Sequence, residues 1–456
     1  LRLEGGSDWW WPEEEAPELT AARARLVEQL AEAARTTPGD PWILGQRVVY
    51  LGEAGRWAEA ERLATRCGIR VEERWWCDAL EGLALHVQGD YVVAAERFRA
   101  ALASMEPDRA LEWTEVGDLL TSEGDDARDR AVERGDSAAV DRFWALSDPL
   151  FLVPGNDRWT EHMARRTWSR TREGARNPYS MSWGSDLDEL LVRYGWEVGW
   201  ERRDPGASIG VSTSAVGHQD PRSQGFVAPP AVWDASPDTP PEEWNPGHRT
   251  LPRTGYAPAY APTFLDLDVD VMRVHRGDST VLVVPVPGVP EDTTFHADHE
   301  HPPAPAPVAL GDQSPVHGLF AYALSGPGEL YAVRRDGERG GLALTVPSGT
   351  DYVVSVETWR PDSARAGRIR QGLSAPFVPR DVPAVSDLLL APAEGPLPER
   401  LDDLIDALHA RSVFAPGDTS LAGLIAYEVR ATLRRWEPRI DVEDIDVVSD
   451  PTDVGV

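Results

Sequence analysis

Gly55-Arg56-Trp57-Ala58-Glu59-Ala60 and Gly89-Asp90-Tyr91-Val92-Val93-Ala94 decide the reading of the N-terminal third. Gly55, Trp57 and Ala60 recur as Gly89, Tyr91 and Ala94, an offset of 34 residues. In the second copy Gly82, Tyr91, Ala94, Phe98 and Ala101 set small and large residues where paired helices need them. Small residues let two backbones approach, and large ones fill the groove between them. Pro107 closes the second copy and Pro38 closes an earlier helix over 19–36. The spacing predicts stacked helical pairs over 18–140, two clear and one degenerate. Such arrays build curved binding surfaces, so the class of function they imply is recognition of a protein partner.

The period and the residue pattern resemble the tetratricopeptide repeat. Outward from it, residues 1–17 read as an acidic arm with three tryptophans. Helical spacing continues into 141–203, where Asn156 or Thr160 can cap a helix running to about Arg172. Residues 204–262 form a Pro/Gly-rich connector, long enough to be functional or to cross between domains, and pinned by Phe226, Trp233, Trp244, Tyr256 and Tyr260. From Thr263 the period becomes two: Leu265, Leu267, Val269 and Val271 alternate with Asp266, Asp268 and Asp270. Short runs such as VLVVPV, LFAYAL, YVVSVETW and RIRQGL follow, with a helical insert at Leu397 to Arg411 and a last strand near Leu424 to Val429. The expected fold class is α+β: a helical array, then an antiparallel, immunoglobulin-like β-sandwich over 263–450.

Composition narrows the chemistry. The 456-residue chain carries 76 acidic and 45 basic residues, a formal charge of −31, and every basic residue is arginine. A field that negative, with no basic stripe, disfavours nucleic acid as a ligand. Without lysine there is no phosphate-cradling P-loop Lys, no kinase strand Lys and no Schiff-base nucleophile. No apolar run approaches the roughly 20 residues of a membrane-spanning helix. The chain starts at Leu1 without a methionine, compatible with a signal or lipid anchor trimmed ahead of it.

Ser182-Trp183-Gly184-Ser185-Asp186 resembles the signature of the GWxTD-domain proteins of bacterial envelopes, with two substitutions. Phe143-Trp144, Asp148-Pro149, Asn156, Glu161 and Arg165 before it are similar too, as are Tyr194-Gly195, the Arg276-Gly277-Asp278 turn and Ser386-Asp387-Leu388 after it. The resemblance implies a periplasmic or secreted, envelope-associated protein and supplies no catalytic residue.

Several clusters invite chemistry. Cys67 and Cys77, one ending a helix and one opening the next, suit a disulfide and hence an oxidising compartment; buried thiols and half a metal site are the alternatives. His296, Asp298, His299 and His301 offer ligands to a divalent metal such as Zn or Ni, although an extended, Pro-flanked segment throws His296 to the opposite face. Gly206-Ala-Ser208-Ile-Gly210 has nucleophile-elbow spacing in a loop-like context. Trp183, Asp186, Glu189, Arg193, Tyr194 and Trp196 are the candidate ligand pocket. The leading expectation is an extracytoplasmic interaction or scaffold protein without a cofactor. A hydrolase or metal enzyme using the His cluster or that pocket, and a carbohydrate- or surface-binding module, are the other readings.

Overall fold

The computed structural model describes residues 15–67, 73–176, 182–197, 199–203, 214–220, 222–244, 254–261, 263–285, 315–337, 341–360 and 365–379. The fold is α+β, with helices through the N-terminal half and sheets after it. Helices α1 (Pro17–Thr36), α2 (Pro41–Glu53), α3 (Trp57–Thr65), α4 (Arg74–Val87) and α5 (Tyr91–Ser104) pack in chain order. Local chemistry sets their ends. The Asp40 carboxylate accepts from Ile43 N at 3.0 Å and Asp90 from Val93 N at 3.2 Å, satisfying first-turn amides that the helix itself leaves free. Gly55 and Gly89 take φ of 71° and 81°, a left-handed exit that excludes most side chains, so the 34-residue recurrence is a recurring turn. At Gly82 an added methyl would come within 2.8 Å of the Phe98 ring, which is why α4 and α5 can touch there.

Beyond them come α6 (Pro107–Thr114), α7 (Ser122–Glu133), α8 (Ala139–Ser147), α9 (Asp157–Arg172) and α10 (Ser185–Tyr194). Asn156 is the cap of α9, accepting from Trp159 N at 2.8 Å. The run after Gly184 is helical because Leu187 and Leu191, one turn apart, are its buried stripe. Strands β1 (Gly199–Arg203) and β2 (Ser214–His218) pair as an antiparallel hairpin, and one short helix, α11 (Pro241–Trp244), lies in the connector. The connector's five aromatics, Phe226, Trp233, Trp244, Tyr256 and Tyr260, are all buried.

Among the described residues eight further strands follow: β3 (Thr263–Asp266), β4 (Met272–His275), β5 (Ser279–Pro285), β6 (Val316–Ala323), β7 (Leu330–Asp336), β8 (Gly341–Pro347), β9 (Thr350–Arg360) and β10 (Arg365–Ala375). They form a five-stranded sheet in the order β3-β10-β9-β6-β7 and a three-stranded sheet β4-β5-β8. Two expectations need correction. The large sheet is mixed, because β3 pairs in parallel with β10. The alternating run from Leu265 is not one strand either: β3 stops at Asp266, and the chain leaves for the other sheet before β4 begins at Met272. Asp266, Asp268 and Asp270 are exposed as the alternation implied, so burial period was preserved while pairing was not.

Both faces of the five-stranded sheet are covered. Leu319, Ala321, Val354 and Val356 meet Leu282, Val284, Leu342 and Leu344 of the smaller sheet. The opposite face, with Val316, Phe320, Val353 and Trp359, meets Trp144, Leu150, Leu152, Trp233 and Tyr260 of the helical half and connector. This explains why every residue of β6 is buried. Residues 1–14 of the N-terminal arm, Ser386-Asp387-Leu388, the insert at 397–411 and the strand at 424–429 lie outside the described residues.

Candidate functional site

The centre of the molecule is a buried helix of unusually polar sequence. In α9, Asp157-Arg-Trp-Thr-Glu-His-Met-Ala-Arg-Arg-Thr-Trp-Ser-Arg-Thr-Arg172, Asp157, Arg158, Thr160, Glu161, His162, Arg165 and Arg166 are all enclosed. Helices α2, α4 and α5 cover it on one side; on the array, Gln46 Nε2 donates to Thr171 O at 2.8 Å and Trp159 sits edge-on to Phe98. A buried charge persists only with partners, so where each group's bonds go defines the site.

Glu161 is held from two directions. Arg165 Nε donates to Oε1 at 2.6 Å, and His86 Nε2 lies 2.8 Å from Oε2. A carboxylate only accepts, so this ring nitrogen carries the hydrogen, while His86 Nδ1 sits 2.9 Å from Thr160 Oγ1. Burial pushes the Glu161 carboxyl upward, but Arg165 and His86 outweigh it and hold it at about 2. The rest of the Arg165 fork is spent on backbone: NH1 on Val192 O and Arg193 O at 2.9 and 3.1 Å, NH2 on Gly255 O at 2.7 Å. Gly195, at φ 84°, ends α10 beside that guanidinium, where a methyl would stand 3.1 Å from NH2.

The same device recurs on the sheet. Arg368 and Arg370 of β10 sit opposite Glu357 and Ser355 of β9, all facing the helical half and all buried. Arg368 donates to the carbonyls of Asp148, Pro149 and Trp244 at 3.0, 2.9 and 3.1 Å, and Arg370 to Leu146 O at 2.8 Å. Glu357 accepts from Leu152 N at 2.9 Å. Arg334 adds Phe151 O at 2.9 Å, and Arg142 of α8 takes Val232 O at 2.6 Å. A planar fork of five donors can bind several carbonyls at once; an ammonium cannot hold that geometry. A chain without lysine has used arginine to fasten irregular segments to regular ones.

Between these clamps lie two carboxyls of another character. Asp148 is 6% exposed and Asp157 fully enclosed, and among the described residues no donor reaches Asp148 Oδ1 or either Asp157 oxygen in standard hydrogen-bond geometry. Burial and the neighbouring Asp157 charge push Asp148 well above the usual carboxylate range. Burial raises Asp157 to about 6; Tyr256, outside strict bonding geometry but near enough to favour the ionised form, and His86 moderate that rise. Tyr91, Tyr256 and Tyr260 enclose the pair, and burial drives each phenol well above its ordinary value.

The candidate pocket residues do not converge. Asp186 and Glu189 are exposed, with Glu189 paired to Arg193 at 2.7 Å; Trp183 donates to Ser169 Oγ at 3.1 Å; Tyr194 is half-buried; and Trp196 packs on Trp168. The carboxylate that does face α9 from this helix is Asp188, bonded to Arg166 and Ser169. A cleft of about 340 Å³ lies elsewhere, between Pro237-Asp238 and Arg273, Gln371 and Ser374. The metal candidates His296, Asp298, His299 and His301, and the Gly206–Gly210 elbow, lie outside the described residues. Cys67 and Cys77 are joined in a disulfide, Cα atoms 5.9 Å apart.

Residues 409–455 match the family model of baseplate wedge protein gp25. That segment is outside the described residues and is about a tenth of the chain. No curated protein and no solved structure matches the chain. No helix among the described residues is long and apolar enough to cross a membrane.

Proposed function

We propose that this chain is an extracytoplasmic scaffold or interaction protein, with tetratricopeptide-like helical pairs, a GWxTD-like middle segment and an immunoglobulin-like sandwich. The observation that carries the reading is where the buried arginines are spent: Arg165, Arg368 and Arg370 each bind carbonyls of segments distant in sequence. Their work is to hold three parts of one chain in fixed relative position, which a scaffold requires. Of the positions that carry the resemblance to the envelope proteins, Glu161 pairs with Arg165 and the Asp148 carbonyl accepts from Arg368, while Asn156 caps α9. The array's inner side is filled by α9, so a protein partner would be met on exposed surface, where Trp42 and Leu111 are 62% and 69% accessible. A photocrosslinker at each of these two positions, introduced in the native cell, should trap a protein at one of them; capture at neither would count against the reading.

The disulfide supports an oxidising compartment. Native protein should show no reactive thiol until reduced, and reduction should cost about 3 kcal/mol in urea unfolding, given the short loop it closes. Two thiols titrating in the native state would remove the compartment argument.

The match at 409–455 favours a second reading, that the chain is a component of a larger baseplate-like assembly. That protein would co-sediment with a large particle, which separates the two readings in one fractionation experiment.

A further inference from the structure

Strand β3 ends before its partner does. It pairs only with residues 365–368 of β10, whereas β10 runs on to Ala375, paired with β9 throughout. Leu267 N donates to Arg368 O at 3.0 Å, so at Arg368 the backbone groups point away from β9 and toward β3. That direction alternates along a strand, and the N–H and C=O of Gly372 and Ser374 therefore point the same way. Beyond Leu267 the chain leaves for the other sheet. Among the described residues no backbone group bonds to Gly372 or Ser374 on that side.

The cleft of about 340 Å³ occupies this gap. Its floor is the stretch from Gln371 to Ser374 of β10. One wall is Pro237-Asp238, with the Pro237 oxygen lying against Gly372 and Asp238 exposed. The other is Val271 and Arg273; Arg273 stands opposite Leu282, which faces the core between the sheets, as Leu373 does.

We propose that this groove takes an extended segment of a partner protein, added to the five-stranded sheet as a strand beside β10. A row of open donors and acceptors at strand spacing is matched by another extended backbone. The walls then select its side chains, which alternate between Asp238 on one side and Val271 with Leu373 on the other. In a chain of charge −31 the Asp238 carboxylate favours a cation on its side, while Arg273 opposes one on the apolar side. The segment that fits is basic at alternate positions and apolar between them. This contact is separate from the array surface at Trp42 and Leu111, so crosslinking can fail there while it stands.

Residue-resolved hydrogen exchange and a peptide titration on the full-length protein test this. In the free protein the amides of Gly372 and Ser374 should exchange roughly tenfold or more faster than those of Gln371 and Leu373, which face β9. The probe is a fluorescein-labelled peptide of about seven residues alternating arginine and valine, at about 0.3 M salt to screen general attraction to an acidic chain. Its saturable binding should slow exchange at Gly372 and Ser374 but not at Gln371 and Leu373. Methylating the peptide's backbone amides keeps every charge and side chain but removes the strand's donors, and should weaken binding roughly tenfold or more. Ser374→Pro removes one donor from the groove, leaves the bonds to β9, and should weaken binding similarly. Asp238→Arg, at an exposed position, should also weaken it and serves if the proline variant does not fold. Equal exchange at the four amides of the free protein would mean that the edge is already paired within the chain. Undiminished binding of the methylated peptide would mean charge attraction alone, and a dimer lost in Ser374→Pro would assign the edge to a second copy. Each of these, or the absence of saturable binding, would overturn the proposal.

Discussion

Replacing Arg165 by methionine should lower unfolding stability by about 3–5 kcal/mol, the usual consequence of leaving a buried charge without its partner. Methionine fills much the same volume, so the loss reports the guanidinium rather than a cavity. Glu161 would keep His86 and lose its closest cation, and the carbonyls of Val192, Arg193 and Gly255 would each lose a donor. Urea unfolding at pH 7 measures it. The double variant Arg165→Met, Glu161→Gln should recover part of the loss, because no unpaired charge then remains. Recovery of nothing would show that the carbonyl bonds, not the ion pair, dominate.

Gly372→Ala should cost about 3 kcal/mol, the upper end of overpacking effects. A methyl there would overlap the carbonyl oxygen of Pro237, and backbone, unlike a side-chain tip, cannot turn aside. Relief requires residues around 237 to lift from β10, widening the cleft lined by Asp238, Arg273 and Gln371. Thermal unfolding checks the magnitude, and faster exchange confined to 230–240 checks the location. Wild-type stability in Gly372→Ala would mean that this contact is looser than described.

The helical pairs were legible because the glycine turns and the small-large alternation obey a local rule repeated at a fixed distance. The sheet strands were legible by period, but not their partners. Leu265 to Val271 alternates correctly although β3 ends at Asp266, because alternation records burial on two sides and is silent about pairing. The buried network was only half visible. Asp148, Glu161 and Arg165 stood out through the resemblance, whereas Arg368 and Arg370 did not. Arginines two apart in a strand look like a solvated face; here that face is covered by the helical half, and Ile369 faces the smaller sheet. The matching Ser355 and Glu357 on β9, opposite them in register, were the available signal. Sequence alone could not show that the stretch they fasten, 146–152, lies some 220 residues earlier. The candidate pocket was read from residue types alone. Around Trp183, residue types suited to a site were spaced along a helix whose exposed side carries Asp186 and Glu189, while Asp188 is the carboxylate bonded to α9.

Buried arginine clamps make helices and sheets one mechanical unit. Urea unfolding of Arg368→Met beside the wild type, followed by helical circular dichroism and by hydrogen exchange in β6 and β9, tests it most directly. The wild type should give coincident transitions by both probes, and the variant should separate them, the sheet and helices unfolding at different urea concentrations. Separate transitions in the wild type, or coincident ones in a variant of unchanged stability, would contradict it.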